Sequence, residues 1–176
     1  KVYLDFLADE GTDLNIGYFT NFSHNRPFVT IKLAISLDGK IALKNKNSKW
    51  ISNELSRSFG HMMRAESDAI LTTHSTIKED NSKLTCRLNG LKKYSPLKII
   101  VDRMLKLNSD NSIFKNTKKG NLIIYHNTNN ESKIKNYSKN ADLIYIKNNK
   151  NFLELILNDL ANRKIKHLLI ESGTKF

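Results

Sequence analysis

A single cysteine among 176 residues leaves this chain without an intrachain disulfide. Cys86 has no second thiol to meet, so a reducing cytoplasm is the expected setting. No run of about 18 apolar residues occurs and no secretory leader pattern is visible, which argues against a membrane-spanning helix or export. The histidines at positions 24, 61, 74, 126 and 167 stand far apart, with no cysteine or paired acid at ligand spacing. No structural metal site is expected from such a set. Neither G-x-G-x-x-G nor a P-loop is present, so any dinucleotide has to be held without those glycine-rich signatures. No internal repeat is evident.

Acidic residues are the scarce charge. Against 29 Lys plus Arg there are 17 Asp plus Glu, a formal net charge of +12. A nucleic-acid-binding protein would cluster its cations and interleave them with aromatics. Here 23 of the cations are lysines spread from Lys1 to Lys175, alongside 22 asparagines. That spread describes a solvated surface, with steering of a phosphorylated ligand as the alternative.

What is present suffices for one domain with a real core, since 39% of the residues are hydrophobic. Residues 1–25 read as a connector with a helical piece around Leu14 to Phe22, ended by Arg26-Pro27, which forces extended chain. From Phe28 to Ser36 a strand period puts Val29, Ile31, Leu33 and Ile35 on one face, and Thr30, Lys32, Ala34 and Ser36 on the other. Asp38-Gly39 then predicts a turn and a return strand, with the first strand central in its sheet. Ser52 or Asn53 caps a helix running to about Glu66. Short apolar runs at 68–73, 96–102, 121–126, 141–147 and 166–170 predict strands, and 151–163 carries the stripe of an amphipathic helix. Strands alternating with helices define an α/β sheet, whose ligands collect beyond the strand ends. Those ends lie at Asp38, Thr72, Asp102 and Glu171. On residue type alone each polar group there has two readings. Lys32 is a partly exposed strand lysine or a site cation; Trp50 is a core aromatic or a cofactor contact. Arg64 and Thr76 are helix-end residues or ligand contacts, Asp80 a turn residue or a contact, and Glu171 a strand-end acid or part of a site.

The ordered set Arg26-Pro27-Phe28, Lys32-Leu33-Ala34, Ser36-Leu37-Asp38-Gly39, Ser48-Lys49-Trp50-Ile51, Arg64, Ser67-Asp68-Ala69-Ile70, Thr76, Asp80, Leu84-Thr85-Cys86-Arg87, Pro96-Leu97-Lys98, Val101-Asp102 and Glu171-Ser172-Gly173 resembles the reductase domain of bifunctional riboflavin-biosynthesis deaminase/reductases. The resemblance covers about residues 14 to 176. It implies an α/β fold like that of dihydrofolate reductase: a mixed, largely parallel sheet flanked by helices. Residues 26–176 would be the reductase domain, lacking its C-terminal part, and 1–25 the segment that follows a deaminase. The implied reaction is NADPH-dependent reduction of the ribosyl group of 5-amino-6-(5-phosphoribosylamino)uracil. Lys32 and Glu171 are the implied catalytic residues. Ala34, Trp50, Thr76, Asp80, Gly173, Thr174 and Lys175 would contact NADPH, and Ser48, Arg64, Leu84, Arg87 and Glu171 the substrate. The resemblance further implies a homodimer, a deaminase supplied by another chain or segment, and neither metal, nucleic acid nor membrane as partner. Arg103 stands where many relatives carry serine, and reads as a contact to a cofactor 2′-phosphate or as a surface charge. Two other classes fit the residues less well: a reductase-like module that no longer catalyses, and a basic nucleic-acid-binding protein.

Overall fold

The computed structural model describes residues 4–42, 51–115, 117, 119–147 and 150–173. Six strands form one sheet: β1 (Phe28–Ile31), β2 (Ala69–Thr73), β3 (Leu97–Val101), β4 (Leu122–His126), β5 (Asp142–Tyr145) and β6 (His167–Ile170). Their spatial order is β1-β6-β2-β3-β4-β5, and every pairing among the described residues is parallel. A parallel sheet buries both faces, which is why these strands read as unbroken apolar runs rather than as alternating ones.

Two cores result. One face carries Ile70, Ile100, Ile124 and Leu169, joined by Ile77, Leu84, Phe114 and Tyr137 from the segments that cover it. The opposite face carries Leu71, Ile99, Ile123, Tyr125 and Leu168, packed by Phe152, Ile156 and Leu160. Those three sit at helical spacing on α7 (Phe152–Asn162), as its apolar stripe requires. The first core is closed by α3 (Glu54–Glu66), which contributes Met63, by α4 (His74–Asp80), α5 (Ser112–Lys115) and α6 (Glu131–Tyr137). Asn53 starts α3 by accepting the Ser56 N–H at 2.8 Å, and Asn130 does the same for α6 through Lys133 at 3.0 Å. Each satisfies one orphan donor of a first helical turn.

The first 25 residues hold two helices, α1 (Ala8–Leu14) and α2 (Ile16–His24). Gly17 of α2 lies against the start of β6 so closely that a Cβ built on it would stand 2.5 Å from His167 Nε2.

The first strand departs from expectation in two ways. Among the described residues β1 is an edge strand rather than a central one, paired only with β6. Its ladder stops once the Lys32 N–H reaches the Ile170 carbonyl at 3.0 Å. Beyond that, Asp38-Gly39 closes a loop in which Ser36 N–H donates to the Lys40 carbonyl at 2.8 Å, while Ile41 and Ala42 form a bend, and among the described residues no return strand follows the turn. Gly39, at φ +74°, supplies the backbone conformation that the loop needs. The two-residue period persists, but Ile31, Leu33 and Ile35 are 64%, 56% and 54% exposed, whereas Lys32, Ala34 and Ser36 are half-buried. Periodicity groups residues on a face and says nothing about which face looks inward.

Candidate functional site

From β2 the chain winds outward through β3 and β4 to β5, then crosses back as β6 to lie between β2 and β1. The order therefore reverses at the β2–β6 boundary, and such a switch point opens a crevice beyond the carboxyl ends of the strands. Glu171 follows β6 directly and remains tied to β2, its N–H donating to the Leu71 carbonyl at 3.1 Å. Its carboxylate accepts two bonds from Arg64 on the last turn of α3, from Nε at 2.7 Å and Nη2 at 2.8 Å. This fork-to-carboxylate pairing is the strongest geometry open to two side chains. Arg64 Nη1 also donates to the Thr85 carbonyl at 3.1 Å, which fixes the 84–87 segment to the same centre. Leu84 is held there at φ +52°, a left-handed conformation uncommon for leucine. Its side chain, 2% exposed in the core, keeps it in place.

Across the crevice Lys32 extends along α3, its Cε 3.7 Å from where a Cβ on Gly60 would stand. The ammonium makes no ion pair or side-chain hydrogen bond among the described residues. At the β2 end the hydroxyls of Thr73, Ser75, Thr76 and Ser172 cluster. Thr73 Oγ1 lies 2.8 Å from Ser75 Oγ, 3.3 Å from Thr76 Oγ1 and 3.4 Å from Ser172 Oγ, and the Gly173 N–H reaches Thr76 Oγ1 at 3.3 Å.

One cleft of about 700 Å³ joins these parts, and Lys32, Ala34, Arg64, Thr76, Asp80, Leu84, Glu171 and Gly173 all line it. Eight residues singled out from the sequence thus meet at one place. Arg87 is exposed and lies beyond the lining, but its Nε donates to His61 Nε2 at 3.1 Å, one helical turn before Arg64. Ser48, Trp50, Thr174 and Lys175 lie outside the described residues. The hydroxyls of Thr73, Ser75 and Ser172, the acid Glu79 and the imidazole of His61 were not anticipated. Thr73-His74-Ser75 directly before Thr76, and Ser172 within Glu171-Ser172-Gly173, are the local signals for the hydroxyls.

Burial lowers the pKa of His61 from its ordinary value, with Arg64 and then Arg87 adding to the effect. Two other motif residues serve the fold. Asp102, fully buried, accepts N–H bonds from Lys106 and Leu107 at 2.7 and 3.0 Å. Arg103 lays its guanidinium 4.2 Å from the centroid of the Phe152 ring, so it stacks on α7. No cluster of three His, Cys, Asp or Glu suited to a metal occurs among the described residues, and none of the described helices is long and apolar enough to cross a membrane.

A parallel α/β sheet with an Arg–Glu-anchored cleft at its switch point defines a domain of the dihydrofolate-reductase-like class. More narrowly, the chain belongs to the RibD C-terminal domain family, whose profile matches residues 27–176. It is 33% identical to the riboflavin biosynthesis protein RibD of Aquifex aeolicus, over 99% of this chain and 48% of that protein. Against the RibD of Buchnera aphidicola the identity is 32%, over 98% and 49% respectively. The chain thus spans about half the length of the curated relatives it matches. Among solved structures it resembles a Thermotoga maritima protein described as a diaminohydroxyphosphoribosylaminopyrimidine deaminase and 5-amino-6-(5-phosphoribosylamino)uracil reductase, with TM-score 0.75, 30% identity, and coverage of 95% of this chain and 44% of that one. It likewise resembles Acinetobacter baumannii RibD, with TM-score 0.77, 26% identity, and coverage of 94% and 45%.

Proposed function

We propose that this domain reduces the ribosyl group of 5-amino-6-(5-phosphoribosylamino)uracil to the ribityl group, using NADPH, in riboflavin biosynthesis. The observation that carries this reading is the convergence of Lys32, Arg64, Asp80, Leu84 and Glu171 on one cleft that also has a hydroxyl-lined end. The residues suit a dinucleotide. Thr76, Gly173 and the neighbouring hydroxyls offer uncharged donors, nothing stands within 4 Å of where a Cβ on Gly173 would lie, and Asp80 is an acceptor for ribose hydroxyls.

When bound, NADPH supplies the hydride that the sugar carbon gains. The chain's own groups handle the rest. Reduction places electrons on the oxygen or nitrogen attached to that carbon, and Lys32 carries a proton to offer there. Glu171, fixed by Arg64, presents a rigid acceptor for substrate hydroxyls or amines. Arg87 offers a cation with free N–H donors for the substrate phosphate. A homodimer belongs to the same reading, and the exposed apolar side chains of Ile31, Leu33 and Ile35 supply a surface for it. So does a deaminase, on another chain or segment, that produces the substrate.

The test mixes the folded protein with NADPH and the phosphoribosylaminouracil and follows nicotinamide absorbance together with formation of the ribityl product. Turnover that falls at least about a hundredfold in Lys32→Ala supports the reading, since one general acid contributes on that order. NADPH binding without turnover would instead identify a module that has lost its chemistry.

A further inference from the structure

We propose that His61 is a positioning residue: its neutral imidazole holds the Arg87 guanidinium at the rim of the cleft, so that Arg87 presents its remaining donors to the substrate phosphate. This rests on the function proposed above and assigns a role that the residue pattern alone did not suggest. Two arginines stand near the substrate end, and they are not equivalent. Arg64 spends Nε and Nη2 on Glu171 and Nη1 on the Thr85 carbonyl, so its charge is matched and its fork is occupied. Arg87 makes a single side-chain hydrogen bond among the described residues, Nε to His61 Nε2 at 3.1 Å. Its two terminal nitrogens keep four N–H donors for an anion.

That bond dictates the state of the ring. Arginine only donates, so Nε2 must accept, and the ring proton of a neutral imidazole then sits on Nδ1. Nδ1 is buried and has no hydrogen-bond partner among the described residues. A protonated ring would turn an N–H toward an N–H and place a third cation beside Arg64 and Arg87. The environment opposes this state: burial, then Arg64, then Arg87 lower the pKa of His61, and only Glu171 and the Thr85 carbonyl raise it. The other charged groups on α3 and on elements packed against it are Glu54, Arg57, Glu66, Lys32, Lys92, Lys93 and His167. Arg57 lies one turn before His61 with Nη1 on the Ser52 carbonyl, and Lys93 lies over the Tyr94 ring.

Steady-state kinetics of His61→Ala, Arg87→Ala and the double variant test the proposal. His61→Ala is expected to raise KM for the phosphorylated substrate about tenfold, with KM for NADPH within about twofold of wild type, as loss of one orienting hydrogen bond to a charged group allows. The double variant should be no worse than Arg87→Ala, because His61 acts through Arg87. His61→Gln retains an acceptor and does not titrate. It should hold KM near wild type at pH 7 and remove the part of the acidic rise in KM that belongs to the imidazole, leaving the part due to the substrate phosphate, whose second pKa is about 6. Additive effects of the two alanine substitutions, or an unchanged pH profile in His61→Gln, would overturn the proposal. Nitrogen NMR of the ligand-free wild-type protein gives a reading independent of turnover: a neutral ring protonated on Nδ1 is expected, and a proton on Nε2 refutes the arrangement. A protein that shows this tautomer but never oxidises NADPH leaves the imidazole geometry standing and rejects the assigned reaction.

Discussion

Replacing Arg64 by Met and Glu171 by Gln, singly and together, isolates the pair on which the site is built. The two side chains are each 14% exposed and share bonds of 2.7 and 2.8 Å. Exposed ion pairs contribute about 0–1 kcal/mol, whereas removing one partner of a buried pair costs about 3–5 kcal/mol. At this exposure the cost lies toward the buried limit, about 2–3 kcal/mol for each single change. The pair should not behave additively. Once Arg64 is gone, Glu171→Gln relieves an unpaired carboxylate, so the double variant should lie about 1–2 kcal/mol above the sum of the singles. In a domain of this size about 1 kcal/mol moves Tm by about 2–4 °C, so each single variant should melt about 4–12 °C below wild type. Urea denaturation at fixed pH measures all four proteins. A coupling energy below about 0.5 kcal/mol would mean that water screens the pair as it screens surface charges, and the claim that it locks α3, the 84–87 segment and the end of β6 together would fail.

Other outcomes follow from the same structure. His61 and His126 both have lowered pKa values, in each case mainly from burial; the unfolded chain binds more protons than the fold between their folded pKa values and about 6.5, so stability should fall as pH drops from 7 toward 5, and His61→Gln with His126→Gln should flatten that slope. Asp102→Ala strands the backbone N–H groups of Lys106 and Leu107 at a fully buried position, while the Tyr137 hydroxyl keeps the Leu107 carbonyl as its acceptor, with an expected loss of about 3 kcal/mol in chemical denaturation. Gly17→Ala should not give the gain of about 1 kcal/mol that alanine usually brings to a helix, because its Cβ would meet the His167 ring; that gain should return when His167→Ala is added, as read by thermal melts.

Chemical type and spacing made much of this molecule legible. The five apolar runs that became β2 to β6 need no partner to be recognised, since a strand covered on both faces must be apolar throughout. Asn53 and the stripe of α7 fixed two helices in the same local way. The short helices α1, α5 and α6 escaped notice because they are only 4 to 7 residues long and carry too little periodicity to separate them from loop. The place of β1 at the sheet edge was not legible, because a two-residue period groups side chains by face and carries no information on which strands lie to either side. Within the site, Lys32, Arg64 and Glu171 were found as types at strand and helix ends. The His61–Arg87 bond and the Thr73–Ser172 hydroxyl contact were not, because each joins segments far apart in sequence, and nothing local records such a meeting.

The position of β6 has a kinetic corollary. β2 through β5 follow one another in the sheet in chain order, so each can add to its predecessor through a short crossover. β1 has no such neighbour: Phe28 waits for His167, and Lys32 for Ile170. Closing that loop has the largest entropic cost in the sheet, and contacts of that separation are made late. A folding chain can therefore hold a nearly complete β2–β5 layer while Lys32 and Glu171 are still unacquainted. The proposed reductase activity should lag behind secondary structure in refolding, arriving only when β6 slides into its slot.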